Sequence, residues 1–176
     1  MNKVIKQLKS IPLSGTDIYN ACEKKIKVLK YGQLLQFQTI DEAFNPYDAI
    51  ALLYEIEKNY GHWVLLLRHR ERGIIEFFDS YGMFIDDQLK HVSPAFKAQS
   101  GQDFIYLSEL LAKSDYKVIY NKHKIQSKKE NVSSCGRHLC LRYLMKETPL
   151  KEYIKIVKSG GSQNPDDVAT YLTAFI

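Results

Sequence analysis

The sequence predicts a single α+β domain in which helices flank a central, mostly antiparallel cluster of strands. Three apolar, strand-like runs follow one another between residues 49 and 78, and the last two are joined by a short charged turn. Segments with helical periodicity and recognisable start signals lie on both sides of these runs. The 176 residues are enough for one core of ordinary size, and no linker divides them into two core-sized halves. We therefore expect residues 1–176 to form one domain.

Local signals place the individual elements. Ser14 and Asp17 have the form of a capping box, which predicts an amphipathic helix running to about Val28. Asn164 followed by proline and two aspartates predicts the start of the last helix, because asparagine caps well and the aspartates favour the positive end of the dipole. Strands are expected at 49–54, 63–68, 74–78 and from 117 towards 126, and further helices at 31–36, 107–113 and 135–146.

Composition excludes several classes of protein. The formal charge of +5 and the pI of about 8.9 permit weak attraction to nucleic acid or to an acidic partner without requiring it. No apolar run approaches the roughly 18 residues of a membrane helix, and no apolar segment follows the lysines of residues 1–9 as in a secretory signal. An odd number of cysteines, Cys22, Cys135 and Cys140, indicates free thiols in a reducing compartment. We therefore expect an intracellular protein without a membrane partner.

A hairpin brings a histidine and an aspartate together. His62 lies at the start of one strand and Asp79 at the end of the next. If Arg68 faces Gly73, the numbers of facing residues sum to 141, and His62 then faces Asp79. Facing side chains share one side of a sheet, with Cβ atoms roughly 4.5–5.5 Å apart, which suits a hydrogen bond from imidazole to carboxylate. A slip of one residue would separate them, and each residue alone also fits an ordinary strand end or turn.

Cys135 is predicted at the start of a helix, after the polar segment 127–134. Either of the two serines before it can cap the helix. Free N–H groups and the helix dipole stabilise negative charge there, so the thiol pKa is lowered, and a neighbouring imidazolium lowers it further. Gly136 lacks a side chain and would let a substrate backbone approach. The alternative is a small buried cysteine, but serine and glycine neighbours are unusual in a core.

Gln126 precedes the same polar segment, and its amide is a candidate second donor to an oxyanion, although most glutamines are merely solvated. Cys135, His138 and Cys140 form a C-x-x-H-x-C pattern that could suggest a metal site. On one helix these residues do not share a face, and no second cluster completes a tetrahedral site. We therefore expect neither a metal nor a cofactor, and we assign Cys140 and Cys22 to packing.

Taken together, these segments resemble the active-site blocks of a known family. The sequence is similar to adenain-like and SUMO-protease-like cysteine proteases, most closely to the versions in virophages, polinton-type elements and large DNA viruses, in the segments Gly61–His62–Trp63, Phe78–Asp79–Ser80–Tyr81–Gly82, Gln126 and Cys135–Gly136. The resemblance covers about residues 48–146 and keeps the order His, Asp, Gln, Cys. It implies a papain-like, circularly permuted fold with the nucleophile at the N-terminus of a central helix.

The resemblance also implies a role for each residue. His62 would act as general base and acid, Asp79 as its partner and Cys135 as the nucleophile. Gln126 and the Cys135 amide would form the oxyanion hole. Trp63 would roof a narrow channel that admits only small residues, so that cleavage follows glycine, as Gly-Gly or Gly-X. Viral members of the family mature capsid or core precursors.

The sequence departs from the family pattern in one segment, and it offers one candidate surface for an activator. The segment from Gln126 to Cys135 is longer than in the family and carries charged residues. Family members can use DNA or a basic peptide as an activator, and a basic rim near the site could be formed by Lys122, Lys124, Lys128, Lys129 and Arg137. A solvated lysine-rich face is the simpler interpretation.

Four functions stay open at this point. They are a maturation endopeptidase for viral structural precursors, an isopeptidase removing ubiquitin-like modifiers, an effector-type acyltransferase and a non-enzymatic binding protein. The complete set of candidate residues argues against the last, and the small size disfavours the two before it. We expect a monomer acting on polypeptides in the host cytoplasm or virus factory, with packaging in the virion also open.

Overall fold

The computed structural model describes residues 3–160 and 164–176. Its centre is a five-stranded sheet in the order β1 to β5, with bounds Lys27–Lys30, Ala49–Glu57, Tyr60–His69, Ile74–Phe78 and Lys117–Tyr120. The central strands β2, β3 and β4 pair antiparallel, whereas the edge strands β1 and β5 pair parallel to their neighbours. The α+β class is therefore confirmed, with antiparallel pairing in the middle of the sheet and parallel pairing at both edges.

Helices flank this sheet on both faces. Within the described ranges the α-helices α1 to α8 span Lys3–Lys9, Gly15–Ala21, Ile40–Phe44, Pro94–Ser100, Tyr106–Ala112, Cys135–Leu144, Leu150–Lys158 and Pro165–Leu172. Short 3-10 helices lie at Tyr31–Gln36, Arg70–Arg72 and Asp87–His91. None of the helices in the described part of the chain is long and apolar enough to cross a bilayer.

The first predicted helix is shorter than expected. The capping box is present, since the Asp17 amide donates to Ser14 Oγ and the Ser14 amide donates to Asp17 Oδ2. The helix nevertheless ends at Ala21, because Glu23 and Lys24 adopt positive φ angles of 55° and 59° and turn the chain away. The residues that follow form β1, a strand that the local pattern did not indicate.

The sheet separates two apolar cores. Alternating residues of β2 and β3 project to opposite faces, and both faces are covered by helices. Helix α6 packs against β3 on one face, where Leu139 and Cys140 are fully buried. A buried ion pair fixes the same helix to β4, with Arg142 Nε 2.7 Å from Glu76 Oε1. The start of α6 is thereby held close to the start of β3.

The β3–β4 register differs from the predicted one. Facing residue numbers sum to 143 and not to 141, since Leu65 faces Phe78 and Arg68 faces Ile75. The connection still has four residues, 70–73, but its centre lies one residue further along the chain, with a 3-10 turn at Arg70–Arg72 and a left-handed Gly73 at φ 60°. A shift by two residues preserves the side of the sheet to which each side chain points. His62 and Asp79 therefore share a face, although they are not directly opposed.

Candidate active site

His62 and Asp79 are in contact at one end of the sheet. His62 Nε2 lies 2.8 Å from Asp79 Oδ1, and the two residues are only 7% and 0% exposed. The predicted contact between these side chains is confirmed, although the strand register that predicted it was wrong. Because Nε2 donates to the carboxylate, Nδ1 is left as the ring nitrogen that can exchange a proton with another group.

The Asp79 carboxylate is held by further groups. Oδ1 also accepts from the Tyr81 amide at 2.7 Å, and Oδ2 accepts from Gln88 Nε2 at 3.3 Å. The backbone of Asp79 is fixed by Asn121, whose Nδ2 donates to the Asp79 carbonyl at 2.6 Å and whose Oδ1 accepts the Asp79 amide at 3.0 Å. Sequence reasoning found neither Gln88 nor Asn121, because a lone polar residue far along the chain carries no local signal.

Cys135 is the first residue of α6 and lies beside His62. Burial raises the pKa of the thiol, but hydrogen bonding to His62 and its positive charge outweigh burial, and backbone N–H groups at Trp63 and Gly136 add to them. The pKa of Cys135 is therefore lowered. Burial also works against the imidazolium, yet the Asp79 charge and hydrogen bonds to Asp79 and Cys135 raise the pKa of His62 to about 10. The electrostatics of the pair favour a thiolate beside an imidazolium.

The face of the imidazole is covered by an aromatic ring. Tyr81 stacks on His62 with ring centroids 4.5 Å apart and planes inclined by 20°. The Lys128 Nζ lies 5.4 Å from the centroid of the Tyr81 ring. Burial, followed by the negative charges of Cys135 and Asp79, raises the pKa of Tyr81 to about 12. The phenol therefore stays neutral and shields the histidine from water on that side.

Gln126 is buried close to these residues, in an irregular segment beyond the end of β5. The expected strand stops at Tyr120, six residues earlier. Ser80 holds Gln126 twice: the Ser80 hydroxyl donates to Oε1 at 2.5 Å, and the Ser80 carbonyl accepts the Gln126 amide at 2.9 Å. The side-chain carbonyl is thus occupied, and the NH₂ group has no acceptor in the part of the chain that the structure describes. It remains available to an incoming oxygen.

Trp63 and Gly136 meet the N-terminal segment of the chain. The Trp63 indole N–H donates to the Leu13 carbonyl at 3.1 Å. A Cβ atom added to Gly136 would lie 2.9 Å from Leu13 Cβ, closer than such atoms come in real proteins. The Cβ side of Gly136 is therefore filled by Leu13, and the approach of a substrate backbone to Gly136 stays a prediction.

Asp166 anchors the segment between Gln126 and Cys135, although the sequence predicted only that this aspartate stabilises the start of the last helix. Asp166 of α8 accepts from the Ser127 amide and from the Ser134 hydroxyl, at 2.9 and 2.6 Å. Ser134 therefore does not cap α6 with its side chain. His138 Nε2 also contacts Asp166, at 3.0 Å, so its ring is paired with a carboxylate and not with Cys135 or Cys140.

The remaining predicted residues fall into two groups. Cys140 and Cys22 are both fully buried in the same core, and their mutual hydrogen bond, followed by burial, raises the pKa of Cys22. Arg137 is buried, and its Nη1 donates to the Thr173 carbonyl at 2.8 Å. Its predicted place in a basic rim is therefore wrong. The other members of that rim are exposed, namely Lys122, Lys124, Lys128 and Lys129.

The structure is thus an α+β protein in which a thiol, an imidazole and a carboxylate lie together at one end of the sheet. No protein-family model matches the chain. Its sequence is 37% identical over 174 residues to "Uncharacterized protein V9" of the Sputnik virophage, covering 97% of this chain and 99% of that protein. The chain belongs to the same family as that virophage protein, which agrees with the predicted similarity to virophage sequences.

Solved structures show a more distant likeness. The C-terminal Ulp1 protease domain, in complex with Smt3, the yeast orthologue of SUMO, is 18% identical, with 97% of this chain and 80% of that chain covered and a TM-score of 0.41. The central domain of Lpg1148 from Legionella pneumophila is 20% identical, with 93% and 94% covered and a TM-score of 0.44. Both are too distant to bear on the site of this chain.

Proposed function

We propose that the protein is a cysteine peptidase whose nucleophile is Cys135. The observation that carries this proposal is the alignment of the Cys135 thiol, the His62 ring and the Asp79 carboxylate, in which the cysteine pKa is lowered and the histidine pKa is raised. A cysteine with only a structural role requires neither a lowered thiol pKa nor a neighbouring histidine with a raised pKa. His62 is the general base and acid, and Asp79 holds its ring in one orientation.

The reaction follows from these positions. The Cys135 thiolate attacks the substrate carbonyl carbon, and the resulting oxyanion accepts hydrogen bonds from the Gln126 NH₂ group and the Cys135 backbone N–H. The C–N bond breaks as His62 gives its proton to the leaving amine, and a thioester remains. Water then attacks the thioester while His62 takes its proton, and the acid is released with the thiolate restored.

The substrate is an extended polypeptide with small residues next to the cleaved bond. A cleft of about 720 Å³ begins at Trp63 and is lined by α2 and by all of β1. The outer edge of β1 has no neighbouring strand among the described residues, so an extended chain can pair with it. Trp63, whose indole donates to the Leu13 carbonyl, lines this cleft, and we propose that it forms a constriction between the cleft and Cys135. Glycine fits such a constriction best, as Gly-Gly or Gly-X.

Membership of a family with a virophage protein supports a viral substrate. We propose that the enzyme matures capsid or core precursors as a monomer, inside the infected cell or within the particle. DNA is a candidate activator, because four exposed lysines lie on segments near the site and would attract its phosphates. A peptide activator is an alternative that rests on the family resemblance alone. Titrating DNA into a cleavage assay at low and high salt tests the first of these, and an unchanged rate at both salt concentrations excludes DNA.

The proposed function is tested with a Gly-Gly peptide that carries an electrophilic group, followed by mass mapping of the modified cysteine. We expect labelling at Cys135 in the wild type and in Cys140→Ala, and none at Cys135→Ala, which should fold because Cys135 lies at a helix start. Labelling at Cys22 or Cys140, or cleavage of peptides by Cys135→Ala within tenfold of wild type, would overturn the assignment.

Substrate panels separate the two hydrolytic alternatives. Glycine-rich precursor peptides are compared with conjugates of ubiquitin-like modifiers, at equal concentrations. Cleavage of the precursor peptides supports maturation, whereas cleavage of the conjugates alone would identify an isopeptidase with the same chemistry.

A further inference from the structure

The polar segment 127–134 is closed at its base by one carboxylate. Asp166 Oδ2 accepts from the amide of Ser127, the residue directly after Gln126. Asp166 Oδ1 accepts from the hydroxyl of Ser134, the residue directly before Cys135. The two ends of the segment that separates the candidate oxyanion donor from the candidate nucleophile are therefore tied to the same side chain.

The Asp166 carboxylate is well suited to hold this position. It is 3% exposed, and burial of an ionised carboxylate is costly unless several donors surround it. His138 Nε2 supplies a third contact at 3.0 Å, whereas His138 Nδ1 is buried without a partner among the described residues. Within residues 3–160 and 164–176, the ring of His138 thus makes its one hydrogen bond to Asp166, and it serves to stabilise the carboxylate.

The helix that carries Asp166 is itself firmly placed. Asn164 caps α8 by accepting the Asp167 amide at 3.0 Å, and the Thr170 hydroxyl donates to the Asp166 carbonyl at 2.7 Å. Lys9 of α1 pairs with Asp167 at 2.7 Å, while its carbonyl accepts the Ser133 amide at 2.9 Å. Helix α8 therefore presents Asp166 from a fixed support to an otherwise irregular segment.

We propose that Asp166 is a positioning residue, which fixes the distance between the Gln126 amide and the Cys135 thiol by closing the base of the segment 127–134. The proposal rests on the proposed peptidase function. Its physical basis is that a long irregular segment gives Gln126 many alternative placements, and a misplacement by about 1 Å can cost a hundredfold in rate. Asp166 touches no substrate and acts only through the residues that it holds.

Asp166→Asn is the decisive variant, because it keeps the shape of the side chain but replaces one carboxylate oxygen by an NH₂ group. That group then faces, as a donor, either the Ser127 amide or the Ser134 hydroxyl and His138. We expect kcat for a Gly-Gly peptide to fall about 10- to 100-fold, below the full loss of an oxyanion donor, while KM changes less than about threefold. Asp48→Asn is the matched control, since Asp48 bonds Arg68 and Arg70 at the far end of β3. It should leave both constants near their wild-type values.

A double-mutant cycle separates positioning from general destabilisation. If Asp166 acts through Gln126, the loss caused by Asp166→Asn should shrink to about threefold or less in a Gln126→Ala background, because residues that act together are not additive. Equal losses in both backgrounds would show that Asp166 does not act through Gln126 and would overturn the proposal.

A measurement without activity distinguishes failure of this proposal from failure of the proposed function. Amide hydrogen exchange in 127–134 should accelerate at least tenfold in Asp166→Asn and not in Asp48→Asn. Ser134→Ala removes one of the bonds, keeps the carboxylate paired, and should accelerate the same amides to a smaller extent if Asp166→Asn does not fold. Unchanged exchange in the folded variants would overturn the clamp. An inactive wild type with these exchange changes would overturn the peptidase function alone.

Discussion

Replacing Asp79 by asparagine should abolish the ion pair at the candidate site while leaving the fold in place. Burial opposes the imidazolium, but the Asp79 charge and hydrogen bond, with a further contribution from Cys135, raise the pKa of His62 to about 10, against an ordinary value of 6.5. A difference of this size corresponds to about 5 kcal/mol in favour of the imidazolium. Asparagine has the same shape and can still accept from the Tyr81 amide, but it carries no charge. Without that charge, burial is opposed only by Cys135 and the remaining hydrogen bonds, so we expect the histidine pKa to fall well below its value in the wild type.

The effect of Asp79→Asn should be measured on the ionisation of the Cys135 thiol as well as on turnover. With a neutral His62, the cysteine loses the positive charge that lowers its pKa, and burial then raises it. The rate of alkylation of Cys135 by iodoacetamide, measured from pH 5 to 10, reports the thiolate. The midpoint should lie below the ordinary cysteine pKa of about 8.5 in the wild type and above it in Asp79→Asn. The midpoint is the better observable, because the intrinsic nucleophilicity of a thiolate also changes with its pKa.

Two outcomes would refute this reasoning. The first is a midpoint in Asp79→Asn that differs from the wild type by less than about one pH unit, equivalent to about 1.4 kcal/mol. The second is an equal displacement in Asp48→Asn, whose charge lies at the far end of β3 beside Arg68 and Arg70. Near-ultraviolet circular dichroism of both variants shows whether tertiary packing has survived. Peptide hydrolysis by Asp79→Asn should fall in parallel, by at least about a hundredfold.

Two further variants test other parts of the site. Gln126→Ala should lower kcat by about 10²–10³ while leaving the alkylation midpoint of Cys135 unchanged, because only the oxyanion loses a donor. Gln99→Ala, at an exposed position of α4, is the control, and a loss below threefold in Gln126→Ala would leave backbone amides as the donors. Gly136→Ala should destabilise the protein by about 1–3 kcal/mol in urea unfolding through overpacking against Leu13 Cβ. Leu13→Gly removes that Cβ atom, so the cost of Gly136→Ala should be smaller in a Leu13→Gly background if the contact is its cause.

Local sequence patterns were sufficient for the middle of the sheet and for the helix of the candidate nucleophile. The apolar runs of β2, β3 and β4 are long enough to specify strands, and the polar segment before Cys135 marks a helix start. By contrast, β1 has only four residues, and its conformation depends on parallel pairing with β2. Such a strand forms because of its tertiary neighbours, which the local pattern does not contain.

The hairpin shows how a correct contact can follow from an incorrect register. The sequence constrained the parity of the pairing, because both strands must bury the same alternate residues, and parity decides the face. It did not constrain the position of the turn, whose centre lies one residue further along the chain because Gly73 ends a 3-10 turn in a left-handed conformation. The prediction that His62 meets Asp79 depended on the face alone, and for that reason it survived the two-residue error.

The hydrogen-bond partners of the site residues could not be predicted from the sequence for a different reason. Ser80, Asn121 and Asp166 each act through hydrogen bonds to residues more than 25 positions away. Asp166 illustrates the difficulty, since an aspartate in the first turn of a helix is already explained by the dipole. Its actual partners, Ser127 and Ser134, become visible only when α8 is docked against α6.

Cys135 and His62 come from different elements, α6 and β3. Leu13 contacts both elements and helps to fix the distance between them. His62 is followed in β3 by Trp63, whose indole donates to the Leu13 carbonyl. Cys135 is followed in α6 by Gly136, on which the Leu13 side chain rests. Since packed atoms of this kind cannot approach or separate without cost, the segment before α2 acts as a spacer between strand and helix. The geometry of the thiol and the imidazole therefore depends on the N-terminal segment of the chain as well as on the sheet and the central helix.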